Sequence, residues 1–335
     1  VAHAAGFASV RAFNDTVREV FAMTPSELRS RAANAQGPGS PGTITLRLPF
    51  RPPLCPDNLL GHLAATAVPG VEEWRDGAYR CAMRLPRGYG IASLRVRPEH
   101  VECRLTLSEL HDLATAINRC RRLLDLDADP VAVDEQLEAD PVLAPLVAKS
   151  PGRRVPRTTD PAEFAVRAVL GQQVSTAAAR TLAGRLVAAH GTPIEDRDGG
   201  LTYLFPTPAQ LAGLDPETLA MPRTRRETLQ RLVHALAVGD VELGVGGDWA
   251  KARAELSAVR GIGPWTVESI AMRALGDPDA FVATDLGVRA AAQRLGLPDR
   301  PAELIARSLR WSPWRAYATQ YLWATGDHPI NRLPN

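Results

Sequence analysis

Lysine is almost missing from this chain. Lys149 and Lys251 are the only two among the 39 basic residues, so chemistry that needs a lysine amine has very few places to reside. Cysteine is equally sparse. Cys55, Cys81, Cys103 and Cys120 are widely spaced, form no CxxC pair and have no successor after position 120. That excludes a readable zinc site, and disulfides are not expected. No apolar run approaches the eighteen or so residues that span a bilayer, so no membrane partner is expected. Net charge is also lacking. With a formal +2 over 335 residues there is no global basic footprint, and any grip on nucleic acid must come from local arrangement.

What is present is a 45% apolar, 23% charged chain, the mix of a globular protein of two or three domains. It opens on Val-Ala-His inside a helical pattern, so a piece of a longer protein is expected. Residues 1–35 read as helices, with Ser9 and Thr24 as caps and Pro25 at a first helical position. Residues 36–42 (QGPGSPG) have no side chain that can pack and read as a linker. Residues 43–107 form an α+β unit: strands over 43–48, 79–85, 91–97 and 101–107 alternate toward an antiparallel sheet, with an apolar helix over 57–67. Residues 108–335 read as an all-α domain of about ten short helices, including 161–189, 248–258, 264–275, 285–295 and 313–325. The fold class is α+β, a small antiparallel-sheet domain followed by a helical one.

The sharpest motif is residues 256–266 (LSAVRGIGPWT). A helix ends, Gly261, Ile262 and Gly263 turn, and Pro264 opens a second helix, giving a helix-hairpin-helix over 249–275. Two glycines let a ligand approach the backbone, and the second helix begins with unpaired N–H groups and a positive dipole end. Together they make a phosphate-sized site that needs no basic side chain. An ordinary tight turn between helices is the bland alternative. Beyond Trp265 lies FVATDLGVR (281–289), whose aspartate stands twenty residues past the tryptophan. Asp285 sits at a helix start and is either a plain N-cap or, with Thr284 taking the cap, a carboxylate turned to a cleft.

The hairpin and the aspartate after it resemble the helix-hairpin-helix glycosylase superfamily of base-excision repair, and within it the 3-methyladenine-DNA glycosylase II (AlkA-type) branch. FAVRAVLGQQVS (164–175) resembles the family's helix and DNA-inserting loop, and WSPWRAY through YLW (311–323) its final helix. Residues 220–223 resemble a turn of the same domain, and the sheet region resembles the branch's first domain; the likeness covers roughly 43–328. A second resemblance, on Ala5 to Ser9, Phe13, Phe21 and Thr24 to Arg29, is to the second helix-turn-helix of AraC-type regulators, as in an Ada-like fusion.

The resemblance implies an N-glycosyl hydrolase that flips an alkylated purine (3-methyladenine or 7-methylguanine) out of double-stranded DNA and leaves an abasic site. It makes Asp285 the catalytic carboxylate, at a helix N-terminus that favours negative charge. Trp265, Trp323, His62, Ser269 and Leu286 become the base pocket. Ser269, Leu286 and Gly287 stand where a well-known member carries larger or aromatic groups, so a roomier pocket is expected. The alternatives are core packing for the two tryptophans and a half-buried surface site for His62. Gly261, Ile262, Gly263, Thr266 and Gln173 become DNA contacts, Gln173 as the wedge in the gap left by the flipped base or simply a helix-end glutamine. No cofactor is required; a structural Na+ or K+ on the carbonyls of Ser257, Val259 and Gly261 is a further implication. The family's lyase lysine is matched by Trp265, so strand cleavage is not expected. A cytoplasmic monomer is expected. Two other readings stay open: a regulator fragment whose helical domain only binds DNA, and a glycosylase for a neutral lesion such as oxidised guanine or hypoxanthine.

Overall fold

The computed structural model of the chain describes residues 9–21, 24–27, 42–215, 219, 221–244 and 246–334. The helix α1 (Val10–Phe21) begins on Ser9, whose hydroxyl accepts from the Ala12 N–H at 3.1 Å, and Thr24 caps the turn after it. Part of the helix-turn-helix likeness, Ala5 to Ala8 and Leu28 to Arg29, lies outside the described residues, as does nearly all of the 36–42 linker.

Five antiparallel strands form one sheet: β1 (Gly42–Pro49), β2 (Glu72–Arg75), β3 (Ala78–Arg84), β4 (Tyr89–Val96) and β5 (His100–Leu107), in the order β1-β5-β4-β3-β2. Strand β5 shows why the alternation was legible: Val101, Cys103, Leu105 and Leu107 are buried while the residues between them are not. The helix α2 (Pro56–Thr66) crosses between β1 and β2 and buries Leu59, Leu60 and Leu63 against the sheet. The sheet unit does not end at residue 107 as the sequence suggested. The next helix, α3 (Leu113–Leu123), buries Ala116, Cys120 and Leu123 in the same core, followed by Leu124 and Leu126. All four cysteines are free thiols.

The helical unit follows: α4 (Pro130–Glu138), α5 (Ala144–Lys149), α6 (Pro161–Leu170), α7 (Thr176–His190), a two-stranded ribbon of β6 (Thr192–Pro193) and β7 (Tyr203–Leu204), α8 (Pro208–Ala212), α9 (Arg223–Val238), α10 (Trp249–Ala258), α11 (Pro264–Ile270), α12 (Leu286–Arg294), α13 (Pro301–Ser308) and α14 (Arg315–Trp323). The helix expected over 161–189 is two helices. Gly171 ends the first, Gln173 takes a left-handed φ of 53°, and the Ser175 hydroxyl caps the second by accepting from the Ala178 N–H. The helix expected over 264–275 turns into one π-turn at Ala271–Leu275. Around α14, three buried aromatic donors reach carboxylates: Trp311 to Asp140, Tyr317 to Asp125 and Tyr321 to Asp134, at 2.6–2.8 Å. These bonds fix the end of the chain that carries Trp323.

One buried cluster joins the two units. Arg167 on α6 donates to Glu72 of the sheet edge, to Glu163 one turn back, and to the carbonyl of Thr66 on α2. One guanidinium serves two carboxylates, and burial pushes the Glu163 carboxyl up to about 8, with Glu72 and Asp160 adding repulsion against the pull of Arg167. An unfolded glutamate ionises near 4.5. The folded form therefore holds a proton that the unfolded form has lost, and stability falls as pH rises between those two values. Glu163→Gln is expected to flatten the slope of melting temperature against pH over that window, read by calorimetry; an unaltered slope would refute the assignment.

Candidate active site and DNA-facing hairpin

A cavity of about 480 Å³ opens where the sheet unit meets the helical unit. Asp285, Trp265, Trp323, His62 and Ser269 all line it, although they come from positions up to 261 residues apart in the chain. Asp285 is the N-cap of α12, and its Oδ1 accepts from the Val288 N–H at 2.9 Å. The same carboxylate receives both indoles: Trp323 Nε1 donates to Oδ1 at 2.8 Å and Trp265 Nε1 donates to Oδ2 at 2.9 Å. The choice between a cap and a cleft carboxylate was therefore a false one, because Asp285 does both and Thr284 is exposed. A carboxylate has about four lone-pair positions; three are occupied here, and the remaining one is on Oδ2. Gly287 makes the arrangement possible. A Cβ there would stand 3.1 Å from both Asp285 Oδ1 and the Trp323 ring.

His62 projects from α2. Burial, with the charges of Arg273 and Arg167 and of His328, keeps its pKa well below the ordinary histidine value. Arg273 Nη2 lies 3.4 Å from His62 Nδ1. An arginine can only donate, so Nδ1 is the acceptor and the imidazole proton resides on Nε2. Ser269 is buried, and its small side chain keeps the cavity wide. Leu286 is a correction: as the first residue of α12 it turns outward, is 78% exposed and does not line the cavity.

Arg273 is a site residue that the sequence analysis did not single out. It stands on the π-turn, 5% exposed, with Nη1 donating to the Pro156 carbonyl at 3.1 Å and its guanidinium 5.6 Å from the centre of the Trp323 ring. Burial pushes it down to about 9, against the pull of Asp285 and with the repulsion of Arg167. Trp265, Ser269 and Arg273 fall at i, i+4 and i+8, one helical face, and that spacing was the signal available.

The hairpin is built as its glycines suggest. Gly261 has a φ of 98°, and a Cβ on it would overlap the Thr228 hydroxyl of α9. Gly263 has open space around it. Among the described residues the amides of Gly261 and Gly263 meet no acceptor, and both residues are exposed. Two of the expected DNA contacts do not hold. The Ile262 N–H is spent on the Val259 carbonyl at 3.0 Å and its side chain is buried. Thr266 is 2% exposed, its N–H goes to the Gly263 carbonyl, and its hydroxyl accepts from Gln172. Gln172, which the sequence reading passed over for its neighbour, bridges Thr266 Oγ1 and the Gly261 carbonyl at 3.0 and 3.2 Å. It ties the α6–α7 turn to the hairpin, and Gln173 stands exposed at the tip of that turn.

The AlkA N-terminal domain family matches residues 45–160, and the HhH-GPD superfamily of base excision DNA repair proteins matches residues 166–316. The chain belongs to the HhH-GPD superfamily, with an AlkA-type first domain. A protein of Mycobacterium tuberculosis (strain H37Rv) described as a "Probable bifunctional transcriptional activator/DNA repair enzyme AlkA" is 58% identical over 336 residues, covering 100% of this chain and 68% of that protein. DNA-3-methyladenine glycosylase 2 of Escherichia coli K12 is 32% identical over 286 residues, 83% of this chain and 96% of its own length. The fold is shared with 3-methyladenine DNA-glycosylase from Archaeoglobus fulgidus at a TM-score of 0.71 and 22% identity, over 83% of this chain and 97% of that one.

Proposed function

We propose that this chain is a DNA-3-methyladenine glycosylase. It binds double-stranded DNA, draws an N-alkylated purine out of the stack, and hydrolyses the bond between that base and its deoxyribose. The observation that carries the reading is the carboxylate of Asp285, clamped by two indole N–H groups at a cavity beside two unpaired hairpin amides. The hairpin amides take a DNA phosphate, as helix N-termini take anions. The extruded base enters between aromatic walls, where a cation over an indole face gains about 0.5–2 kcal/mol. The bond from C1′ to the base nitrogen breaks with its electron pair going to the base, which leaves neutral because alkylation had made it cationic. Positive charge collects on the sugar, and Asp285 stabilises it electrostatically. Water adds to C1′, and its proton passes to Asp285 or to solvent.

The strand stays intact in this mechanism. The place after the hairpin where an amine would attack holds Trp265, and Lys251 is exposed and paired with Glu242 and Glu255. A bound alkali cation fits the hairpin: the Val259 and Gly261 carbonyls each accept one hydrogen bond, from Ile262 and Gln172, and keep a second lone pair. With the Ser257 carbonyl they would hold it, and its charge would neutralise a DNA phosphate. The four free thiols support a cytoplasmic site of action, and no helix among the described residues is long and apolar enough to cross a membrane. We take the working unit to be a monomer, since one chain supplies every group named above.

Incubation with N-methylated duplex DNA tests the reading. Free 3-methyladenine and 7-methylguanine should appear by chromatography, the strand should break only after alkali, and borohydride should trap no protein–DNA adduct. Absence of released base overturns the activity; a trapped adduct overturns strand retention.

A further inference from the structure

The cavity has a wall that neither core supplies. After α14, residues 326–334 fold into a closed turn. The Asn331 side-chain amide donates to the carbonyls of Trp323 and Gly326 at 2.7 and 3.1 Å, while the backbone N–H groups of Asn331 and Arg332 donate to the carbonyls of His328 and Pro329 at 3.0 and 3.2 Å. Arg332 also pairs with Asp327. Gly326, His328, Ile330 and Asn331 of this turn line the cavity.

The turn is seated against α2, the helix that carries His62. Gly61 lies inside that helix, where glycine costs about 0.5–1 kcal/mol relative to alanine. The reason for a glycine there is visible. A Cβ would overlap the Arg332 carbonyl oxygen and press on the Arg332 backbone nitrogen at 3.0 Å. The missing side chain is a notch, and the terminal turn occupies it. The segment thus touches Trp323 at one end and the next-door neighbour of His62 at the other.

We infer that residues 326–332 are a specificity-determining wall of the base cavity, held by the Gly61 notch and the Asn331 amide, that sets the largest alkylated purine the site admits. The inference rests on the glycosylase reading. With the turn docked, Ile330 and Asn331 line the cavity together with His62. With it displaced, the cavity opens over α2, and bulk on the purine has somewhere to go. Small lesions gain nothing from that opening.

Two variants of the full chain test this: Gly61→Val, which fills the notch, and termination after Asp327, which removes the wall. Each is assayed on duplexes carrying 7-methylguanine and 7-benzylguanine, and the ratio of kcat/KM for the bulky base over the small one is read. Both variants should raise that ratio at least fivefold over the parent chain. An unchanged ratio in either folded variant overturns the proposal. Failure of the parent chain to release 7-methylguanine would instead sink the glycosylase reading. Should neither variant fold, hydrogen exchange on the parent chain decides. The amides of Asn331 and Arg332 should exchange at least a hundredfold more slowly than open chain, and exchange at the open-chain rate overturns a docked wall.

Discussion

Asp285→Asn is expected to lower the release of 3-methyladenine from methylated duplex DNA by about 10²–10³-fold, the scale on which a transition-state electrostatic contact is lost. The geometry sharpens the expectation. Oδ1 receives two N–H donors and Oδ2 one. An asparagine must place its NH₂ against one of these sets, and the smaller conflict puts it opposite Trp265. The N-cap to Val288 and the bond from Trp323 then survive, while the Trp265 indole loses its acceptor. The structural cost is one orphaned donor, about 1–3 kcal/mol if it stays buried. The variant should therefore still fold, as a melting curve will report, and its inactivity cannot be laid to unfolding. Excision within a few-fold of the parent would remove Asp285 from the chemistry.

The hairpin glycines should separate folding from DNA affinity. Gly261→Ala puts a side chain at a φ of 98° and into the Thr228 hydroxyl, which itself donates to the Thr224 carbonyl. A strained residue of this kind costs about 1–3 kcal/mol, so both melting temperature and binding of a duplex with an abasic analogue should fall. Gly263→Ala meets nothing: its φ is −97° and no atom lies within 4 Å of the added Cβ. Its melting temperature should not move. The new methyl nevertheless stands beside the amide that the phosphate needs, and Kd should rise about tenfold, equivalent to about 1.4 kcal/mol. Unweakened binding by Gly263→Ala would show that the strand does not approach this turn through the main chain.

Much of this was readable beforehand, for physical reasons that can be named. Strands β1 and β5 carry period-two burial, and the hairpin carries glycines that only close approach or a left-handed φ requires. The edge strand β2 (Glu72, Glu73, Trp74, Arg75) escaped notice because its charges look like a loop. They are half-buried because partners elsewhere in the chain reach them, as Arg167 does for Glu72. Asp285 and the two tryptophans were legible as a constellation, but their mutual hydrogen bonds were not, since Trp323 and the acid stand 38 positions apart in the chain. Leu286 was misplaced because a one-residue step on a helix turns a side chain by about 100°. Arg273 was not singled out, because an arginine within a helix carries no mark of burial in the sequence, and the terminal wall was invisible because its seat on α2 lies some 270 positions away in the chain.

The bonding of both indoles to a single acid has a further implication for how this scaffold can change its diet. Ring and acid form one hydrogen-bonded truss, so in the proposed reaction reshaping the aromatic panels to welcome another lesion also re-aims the carboxylate that steadies the charge on the sugar. On the proposed reaction, turnover and recognition are coupled at Trp265 and Trp323. On the same proposal, the positions freer to vary are those lining the cavity outside the truss, among them the hydroxymethyl of Ser269, the imidazole of His62 and the terminal turn.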